Sequence, residues 1–442
     1  MSYIHLTPIK QLWRWLAVLA AGGLTLTLIG YGIMRPAGQA RLPEPLHPET
    51  TILGQVETPD PEPASSELMD VDPRLIEANT RFGFKLFSQV WQPSNATNLL
   101  ISPSSIAMAL TMTYNGASGT TQQAMVTALE IQNLTLEELN AANAALRTSL
   151  ETADPQVKLA IANSLWGRQD FAFNPDFLQR NQQFYNAEIA SLDFASPEAT
   201  DRINTWVNQN TEGKIPTIID RIDPQHVLFL INAVYFNGTW TTQFNPAATQ
   251  DRPFTRLDGS QKNHPLMSQS GSYLYRETEQ FQAISLPYGE GRFSLYVFLP
   301  SPDSNLNEFL QTLTPENWNR WMSEFARRPG AIRLPKFTFE YNTSLNEVLQ
   351  ALGMAVAFDP NQADFSNLSD TPTFISDVKH KTFIEVNEEG TEAAATTSVG
   401  IAVTSAPVDP PFEMVVDRPF FCAIRDNQTG SLLFMGAVVD PE

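Results

Sequence analysis

The side chains most often used for catalysis are few in this chain and widely spaced. Ser376 and Lys379 have the S-x-x-K spacing of serine acyltransferases, in which a serine acts as the nucleophile. The residues that follow are typical of a strand, and the companion motifs SDN and KTG do not occur. An extracytoplasmic serine acyltransferase is therefore only a remote alternative for the function.

The sequence also lacks the spacings of a metal or redox site. Cys422 is the single cysteine, which excludes an internal disulfide, a CxxC pair and a thiolate zinc site, and the strand-like "PFFCAIRD" around it indicates a buried thiol. No HExxH or comparable spacing connects the five histidines, which are His5, His47, His226, His264 and His380. We predict neither a metal nor a cofactor.

The net charge of −20 over 442 residues excludes one large class of partner. Nucleic-acid binding needs clustered Lys and Arg side chains that displace the counterions of phosphate groups, and no such cluster occurs. With 42% hydrophobic residues, the chain can bury a sizeable core. A globular protein that does not bind nucleic acid is expected.

Residues 1–35 contain a hydrophobic segment of the kind that directs proteins to membranes. Lys10 and Arg14 precede an uncharged run at 15–34, which is long enough to span roughly 30 Å of hydrocarbon as a helix. The run is either a retained anchor or a signal peptide cleaved near Ala40. Residues 36–72, rich in proline and acidic side chains, should form an extended linker. The remaining domain, 73–442, is then expected to be extracytoplasmic.

Capping residues predict two helices at the start of this domain. An aspartate followed by proline at 72–73 is typical of a helix start, and apolar residues then recur at helical spacing. Ser102 and Pro103 predict a second start, and Asn115 with Gly116 predicts a left-handed stop. The second helix is apolar on nearly every side, which places it in the core.

The rest of the domain alternates strands and helices without a strict βαβ rhythm. Buried strands are predicted at 226–240 and within 281–300, one helix at 306–325 and one strand at 331–342. A hairpin closes the chain. This order predicts an α+β domain with large, mostly antiparallel sheets.

Residues 388–407, "EEGTEAAATTSVGIAVTSAP", fit neither an ordinary loop nor a buried helix. In a strand's period of two, the odd positions from Thr391 to Val403 are small or apolar, and the even positions are polar or small. This alternation predicts a strand with one buried face. Acidic residues and prolines flank the segment as they flank surface loops. It is compatible either with two states, an exposed loop and an inserted strand, or with a plain edge strand before a proline-rich linker.

Several segments resemble segments of the serpin family and follow one another in the same order as they do in that family. The resemblance covers residues 73–442. "VNEEGTEAAATTS" is similar to the hinge of an inhibitory serpin's reactive-centre loop, and "MVVDRPFFCAI" is similar to the family's C-terminal signature. "NLLISPSSIAMALTMTYNGASGTT" and "LINAVYFNGTW" resemble segments beneath and within the main sheet. The resemblance implies the serpin fold, with helices packed on three mostly antiparallel sheets and an exposed reactive-centre loop at about 388–411.

The resemblance also assigns residues to regions of that fold. The shutter, beneath the main sheet, would contain Ser102, Pro103, Ser105, Asn232 and His380, and the breach, at the top of the sheet, would contain Trp240. The hinge would comprise Glu388, Glu389, Gly390, Thr391, Glu392, Ala393, Ala394, Ala395, Thr396 and Thr397. These roles are conformational, so no catalytic residue is implied and the chain is expected to be an inhibitor and not an enzyme.

The activity implied by the resemblance is suicide inhibition of a serine protease. The protease cleaves the loop, and the loop then inserts into the main sheet before the acyl-enzyme hydrolyses. Counting from the hinge places the scissile bond at Thr404-Ser405, and a neighbouring bond within 401–406 is the alternative. Specificity is assigned to Ile401, Ala402 and Val403. Because no basic or aromatic side chain occurs there, an elastase-like or subtilisin-like target is favoured, with a cysteine protease as the alternative.

Composition refines the expected partners. A hinge that is rich in alanine and free of proline favours an inhibitor over a non-inhibitory serpin acting as a binding or carrier protein, because small side chains enter a sheet readily. The segment at 116–132, compared with the basic helix of heparin-activated members, contains no Lys or Arg, so no heparin activation is expected. The family default is a monomer, and an uncleaved N-terminal segment would add a membrane contact.

Overall fold

The computed structural model describes residues 71–92, 97–391 and 410–442. The helices within this part of the chain are α1 Pro73–Val90, α2 Pro103–Tyr114, α3 Gly119–Ala128, α4 Leu136–Glu151, α5 Pro175–Tyr185, α6 Pro197–Asn210, α7 Leu306–Gln311, α8 Pro315–Ser323 and α9 Asn346–Leu349. After α9 the chain continues through a π-helical turn at Gln350–Met354 and a 3-10 turn at Ala355–Phe358. No helix of the described residues is long and apolar enough to cross a membrane.

The strands in the same residues are β1 Leu99–Ile101, β2 Val157–Arg168, β3 Glu188–Leu192, β4 Leu228–Thr239, β5 Gln250–Thr255, β6 Gln261–Glu277, β7 Phe281–Pro287, β8 Phe293–Pro300, β9 Ala326–Pro335, β10 Phe337–Ser344, β11 Asp377–Val386, β12 Gly390–Thr391, β13 Phe412–Val415, β14 Phe420–Asp426 and β15 Leu432–Val438. The α+β class and the closing hairpin, β14 and β15, are confirmed.

The first two helices begin where their capping residues predict, but the second ends differently. Asp72 Oδ1 accepts a hydrogen bond from the Arg74 backbone N–H at 2.9 Å and so caps α1. The predicted left-handed stop after α2 is wrong, because Asn115 has the right-handed φ of −56°. Glycine is needed at 116 for packing, since a Cβ there would lie 2.3 Å from the Cβ of Leu368.

Two elements predicted as continuous are divided. The helix predicted at 306–325 is α7 and α8, because Pro315 cannot continue a helix and the Thr314 side chain caps the new one at the Asn317 N–H. The strand predicted at 331–342 is β9 and β10, which pair with β6 and β11 in different sheets. Lys336 lies where the chain passes from one sheet to the other.

The six-stranded main sheet has the order β10-β11-β4-β2-β3, and the two-residue β12 pairs with β4. β11 and β4 run parallel, from the pair Asp377 and Phe229 to the pair Phe383 and Tyr235. We call these seven paired positions the seam. β12 is antiparallel to β4 and continues beyond the seam, at Thr239 and Gly238.

The other strands form one nine-stranded sheet, with β5 also paired to β6. Where the family resemblance implies three sheets in all, the pairing among the described residues gives two. The physical reason is the length of β6, whose 17 residues pair with β5 and β9 and, at their end, with β7. This long strand joins what would otherwise be two sheets. The core lies between the two sheets and the helices, with α2 buried along its whole length.

Candidate functional site

The predicted shutter residues meet directly beneath the seam. His380 of β11 and Asn232 of β4 are paired in register, and His380 Nδ1 lies 2.6 Å from Asn232 Oδ1. The Asn232 amide donates to Ser105 Oγ in α2 and to Asn163 Oδ1 in β2. The backbone N–H of Ser102, just before Pro103, donates to His380 Nε2 at 3.2 Å. Four elements are thus connected through two buried side chains.

The network fixes the tautomer of His380. A backbone N–H can only donate, so Nε2 must be the unprotonated acceptor and Nδ1 must carry the proton that bonds Asn232 Oδ1. His380 is fully buried, and burial lowers its pKa to about 3. A second proton would oppose the Ser102 N–H, so the imidazole is neutral. It is a structural partner in the seam and not a general base.

The hinge begins in an ordered position at the top of the main sheet. Thr391 is 1% exposed, and its Oγ1 lies 2.8 Å from the hydroxyl oxygen of Tyr288. Gly390 has a φ of +154°, and a Cβ there would lie 2.1 Å from the carbonyl oxygen of Gly238. Only a glycine can approach β4 this closely. The first two residues that would enter the sheet already pair with it.

A partly exposed ion pair holds Glu388, two residues before Gly390. Glu388 pairs with Lys336 Nζ at 2.8 Å and accepts a hydrogen bond from Thr249 Oγ1 at 2.8 Å. Burial alone would raise the pKa of Glu388, but the hydrogen bonds from Lys336 and Thr249 outweigh it and lower the pKa. The carboxylate is therefore charged and fixed. Because Lys336 lies between β9 and β10, the pair ties the hinge to both sheets.

Trp240 belongs to this end of the sheet and not to the shutter. Its indole N–H donates to the Asn387 carbonyl at 2.9 Å, and its backbone N–H donates to the Glu389 carbonyl at 2.9 Å. Its ring stacks on Tyr288 with 4.3 Å between centroids. Trp240 and Tyr288 together form an aromatic base under the hinge.

The outer face of the seam is covered by the segment that follows α6. Ile215, Ile218 and Ile219 pack with Phe229 and Ile231 of β4 in a separate hydrophobic cluster. Lys381, next to the shutter histidine, is 7% exposed, donates to the Thr217 carbonyl at 2.9 Å and pairs with Glu340 of β10 at 2.8 Å. A strand that opened the seam would have to displace this covering segment.

The structure describes only part of the predicted site. Eleven assigned positions lie outside the described residues: Glu392, Ala393, Ala394, Ala395, Thr396, Thr397, Ile401, Ala402, Val403, Thr404 and Ser405. Sequence reasoning missed Asn163, Tyr288, Lys336 and Lys381. No local pattern identifies them, because each acts on a residue distant in the chain.

Among the described residues, no arrangement of side chains supports acyl transfer, thiol chemistry or metal binding. Ser376 Oγ accepts a hydrogen bond from the Val227 N–H at 2.9 Å, and Lys379 pairs with Asp377 at 3.1 Å, so the two do not form a nucleophile and base pair. Burial raises the pKa of Cys422 to about 12, which makes its thiol inert. No group of three or more potential metal ligands occurs in this part of the chain.

The expectation that heparin does not activate this protein can be compared with the charges of helices α3 and α4. α3 has neither Lys nor Arg, and α4 has only Arg147, alongside Glu137, Glu138 and Glu151. Neither helix carries the cluster of basic side chains that would attract a polyanion.

Comparison with known proteins agrees with this architecture. The serpin family model, described as serine protease inhibitor, matches residues 77–441. Leukocyte elastase inhibitor of Sus scrofa is 36% identical over 381 residues, which are 83% of this chain and 100% of the relative. An uncharacterized serpin-like protein of Methanosarcina acetivorans is 32% identical over 376 residues, 83% of this chain and 86% of the relative. The chain belongs to the serpin family, and its function at this general level is serine protease inhibition, not catalysis.

Two solved structures confirm the fold. Tengpin, a thermophilic serpin in its native state, matches with a TM-score of 0.77 and 36% identity over 84% of this chain and 95% of that chain. Human thyroxine-binding globulin, complexed with its hormone, matches with a TM-score of 0.77 and 25% identity over 83% of this chain and 98% of that chain.

The buried neutral His380 predicts a specific pH dependence of stability. The folded-state pKa of about 3 lies below the ordinary value of 6.5, so the unfolded state binds the extra proton and the stabilisation, complete above pH 6.5, is lost as the pH falls toward 3. Between pH 7 and 5 this costs about 2 kcal/mol. In urea unfolding, wild type should lose this much more stability than His380→Gln over that range. Equal slopes in wild type and His380→Gln would contradict the assignment.

The close approach at Gly390 predicts a hinge that cannot tolerate a methyl group. In Gly390→Ala the Cβ would collide with the Gly238 carbonyl, which should release β12 and lower the free energy of unfolding by about 1–3 kcal/mol. Hydrogen exchange of the hinge peptide should accelerate at the same time. The control is Gly259→Ala, which also places an alanine at a positive φ, +81°, but where a Cβ has no atom within 4 Å, so it carries the backbone strain without the collision and should leave hinge exchange unchanged. Unchanged hinge protection in Gly390→Ala would show that β12 is not held as described.

Proposed function

We propose that this serpin inhibits its target by the suicide mechanism, in which the cleaved loop inserts into the main sheet along the seam. The observation that carries the proposal is β12, the paired start of the hinge at the top of β4. The nucleophile of the protease would attack the carbonyl of Thr404 and form an acyl-enzyme, freeing the new N-terminus at Ser405. Insertion of the freed loop would then carry the bound protease away before hydrolysis.

The direction of pairing favours this path. β4 and β11 are parallel to each other, whereas β12 is antiparallel to β4. A strand that continued from Thr391 between them would be antiparallel to both neighbours, the slightly more stable arrangement per residue. Fourteen residues from Thr391 to Thr404 at roughly 3.3 Å each span about 45 Å, enough to cross the sheet.

The orientation of Thr391 sets the phase of the inserted strand. Its side chain is buried against Tyr288, so the odd positions that follow, beginning with Ala393 and Ala395, would face the core. Their methyl groups fit a space that must open between two strands. Even positions such as Ala394 would face the other side of the sheet.

The loop sequence and the relatives support an elastase-like or subtilisin-like target. Residues 401–404 read Ile-Ala-Val-Thr, which suits a small aliphatic specificity pocket. Relatives at 36% and 35% identity are named leukocyte elastase inhibitors. These names support the same protease class for this chain.

Carriage of a small molecule is the alternative function within the fold. Thyroxine-binding globulin, a structural neighbour at 25% identity, supports this alternative. The alanine-rich hinge and the paired β12 favour inhibition, because a carrier does not require insertion.

For residues 1–70, outside the described residues, we propose the role that their composition favours. The apolar run at 15–34 would act as a secretion signal or a membrane anchor, with the residues from 36 up to the start of the described domain as a linker, and the inhibitor would work as an extracytoplasmic monomer.

Incubation of the full chain with pancreatic elastase, and separately with subtilisin, tests the inhibitory function. We expect a band of summed mass on a denaturing gel and release of a C-terminal peptide beginning at Ser405, read by mass spectrometry. Loop cleavage with both proteases still active, and with no rise in the thermal stability of the cleaved chain, would contradict insertion. Cleavage with strong thermal stabilisation would retain insertion and exclude only these two targets.

A pair of variants tests which side chains of the inserted strand would face the core. Ala393→Glu should still be cleaved, but its covalent complex should fall roughly tenfold or more, because a carboxylate would have to enter the core side of the sheet. The matched control is Ala394→Glu, which carries the same charge on the opposite face and should reduce trapping less, because the segment that covers that face is outside the core and can be displaced. Equal loss in both variants, or in neither, would show that the phase is wrong.

A further inference from the structure

A cavity of about 220 Å³ lies beside Trp240, where β4 ends and the hinge is held. Its walls come from residues 240–244, from 269–273 of β6 and from the end of β7, and Arg327 of β9 lines it as well. We call it the Trp240 pocket. Its volume is below that of usual drug-sized sites and suits one aromatic ring with a short substituent.

The inner walls of the Trp240 pocket are apolar and aromatic. Trp240, Phe244 and Leu286 are each 3% exposed, and Tyr273 is 8% exposed. The rings of Trp240 and Phe244 are nearly perpendicular, with 6.1 Å between centroids. A planar ring in this space would gain the edge-to-face and offset contacts that aromatic groups favour.

The rim carries one positive charge without a matching carboxylate. Arg327 is exposed, and its only hydrogen bond within the described residues is a long one, 3.5 Å, to the Ser272 carbonyl. Its neighbours differ, since Arg276 pairs with Glu324, and Arg328 lies 3.8 Å from Glu277. A guanidinium in this situation is suited to bind a carboxylate through two parallel hydrogen bonds.

The pocket wall is also the support of the hinge. Trp240 lines the pocket while its N–H groups bond the carbonyls of Asn387 and Glu389. The same ring stacks on Tyr288, which bonds Thr391. A ligand that packs on Trp240 therefore favours the conformation in which the hinge remains paired, because a ligand stabilises the state that forms its site.

We propose that the Trp240 pocket binds small aromatic monocarboxylates, with the ring against Trp240 and Phe244 and the carboxylate on Arg327, and that binding stabilises the paired hinge. The consequence, slower insertion of the loop during inhibition, rests on the proposed function. Ligand binding and the protection of the hinge from hydrogen exchange do not rest on the proposed function, and both are measured without a protease.

Binding is tested with phenylacetate and the full chain, by ligand-observed NMR titration. We expect a Kd of roughly 1 mM, the affinity of about ten heavy atoms in a small open site. 2-Phenylethanol, which lacks the charge, and acetate, which lacks the ring, should each bind about tenfold more weakly. Arg327→Gln should weaken phenylacetate binding about tenfold. Arg320→Gln removes an exposed arginine whose Nη2 donates to the neutral Asn317, and it should leave binding unchanged.

Three results would overturn the site. The first is a titration that does not saturate by 20 mM phenylacetate. The second is equal affinity of the chain for phenylacetate and 2-phenylethanol. The third is an affinity for phenylacetate that is unchanged in Arg327→Gln.

Coupling to the hinge is tested by hydrogen exchange of the peptide that contains Gly390 and Thr391. With 20 mM phenylacetate its exchange should slow severalfold, up to the roughly twentyfold limit reached if the open hinge binds no ligand. Arg327→Gln should show no slowing. Binding without any slowing in wild type would overturn the coupling. A chain that binds phenylacetate but never traps a protease would overturn the proposed function alone, and the reverse result would overturn this inference alone.

Discussion

The parallel pairing of β4 with β11 is the contact on which the rest of the structure depends. The seam is a complete set of backbone hydrogen bonds, yet it joins two strands in the less favourable of the two sheet geometries. Under the proposed mechanism, the backbone of residues 391–404 would pair with both strands in the antiparallel direction, and its side-chain alternation would place the small residues on the core face. In the mechanism we propose, a closed seam beside a segment that could enter it is the physical basis for a change of state.

Two groups of side chains restrain the seam. At the shutter, His380 and Asn232 join β11 and β4 to each other and to α2 through hydrogen bonds that have no water to replace them. At the top, the pair of Glu388 with Lys336 and the stack of Trp240 on Tyr288 hold the chain just before insertion would begin. In the proposed mechanism, opening would break contacts at both places, and a group that alters either set of contacts would alter the rate of opening.

Much of the site could be predicted because its signals are local. A proline after a capping residue begins α1 and α2. The alternation from Thr391 onward stays a prediction, because residues 392–409 lie outside the described residues. The helix predicted at 306–325 was wrong although its signal was also local, because Thr314 and Pro315 repeat the same start pattern. Lys336 is different, since nothing around it in sequence distinguishes a strand that continues from one that changes sheets. Whether the strand continues or changes sheets at Lys336 depends on which partner strands lie beside the residues before and after it.

The sequence by itself determined the family and the class of fold, because these depend on residue types in short, ordered motifs, and the hinge and shutter assignments are predictions from the same motifs. Only the tertiary structure decided that Lys336 reaches Glu388, that Tyr288 reaches Thr391, and that Gly116 is required by Leu368 and not by a turn. The physical reason is that each contact joins residues far apart in the chain, whose distance is set by sheet register and packing. Local propensity carries no information about either.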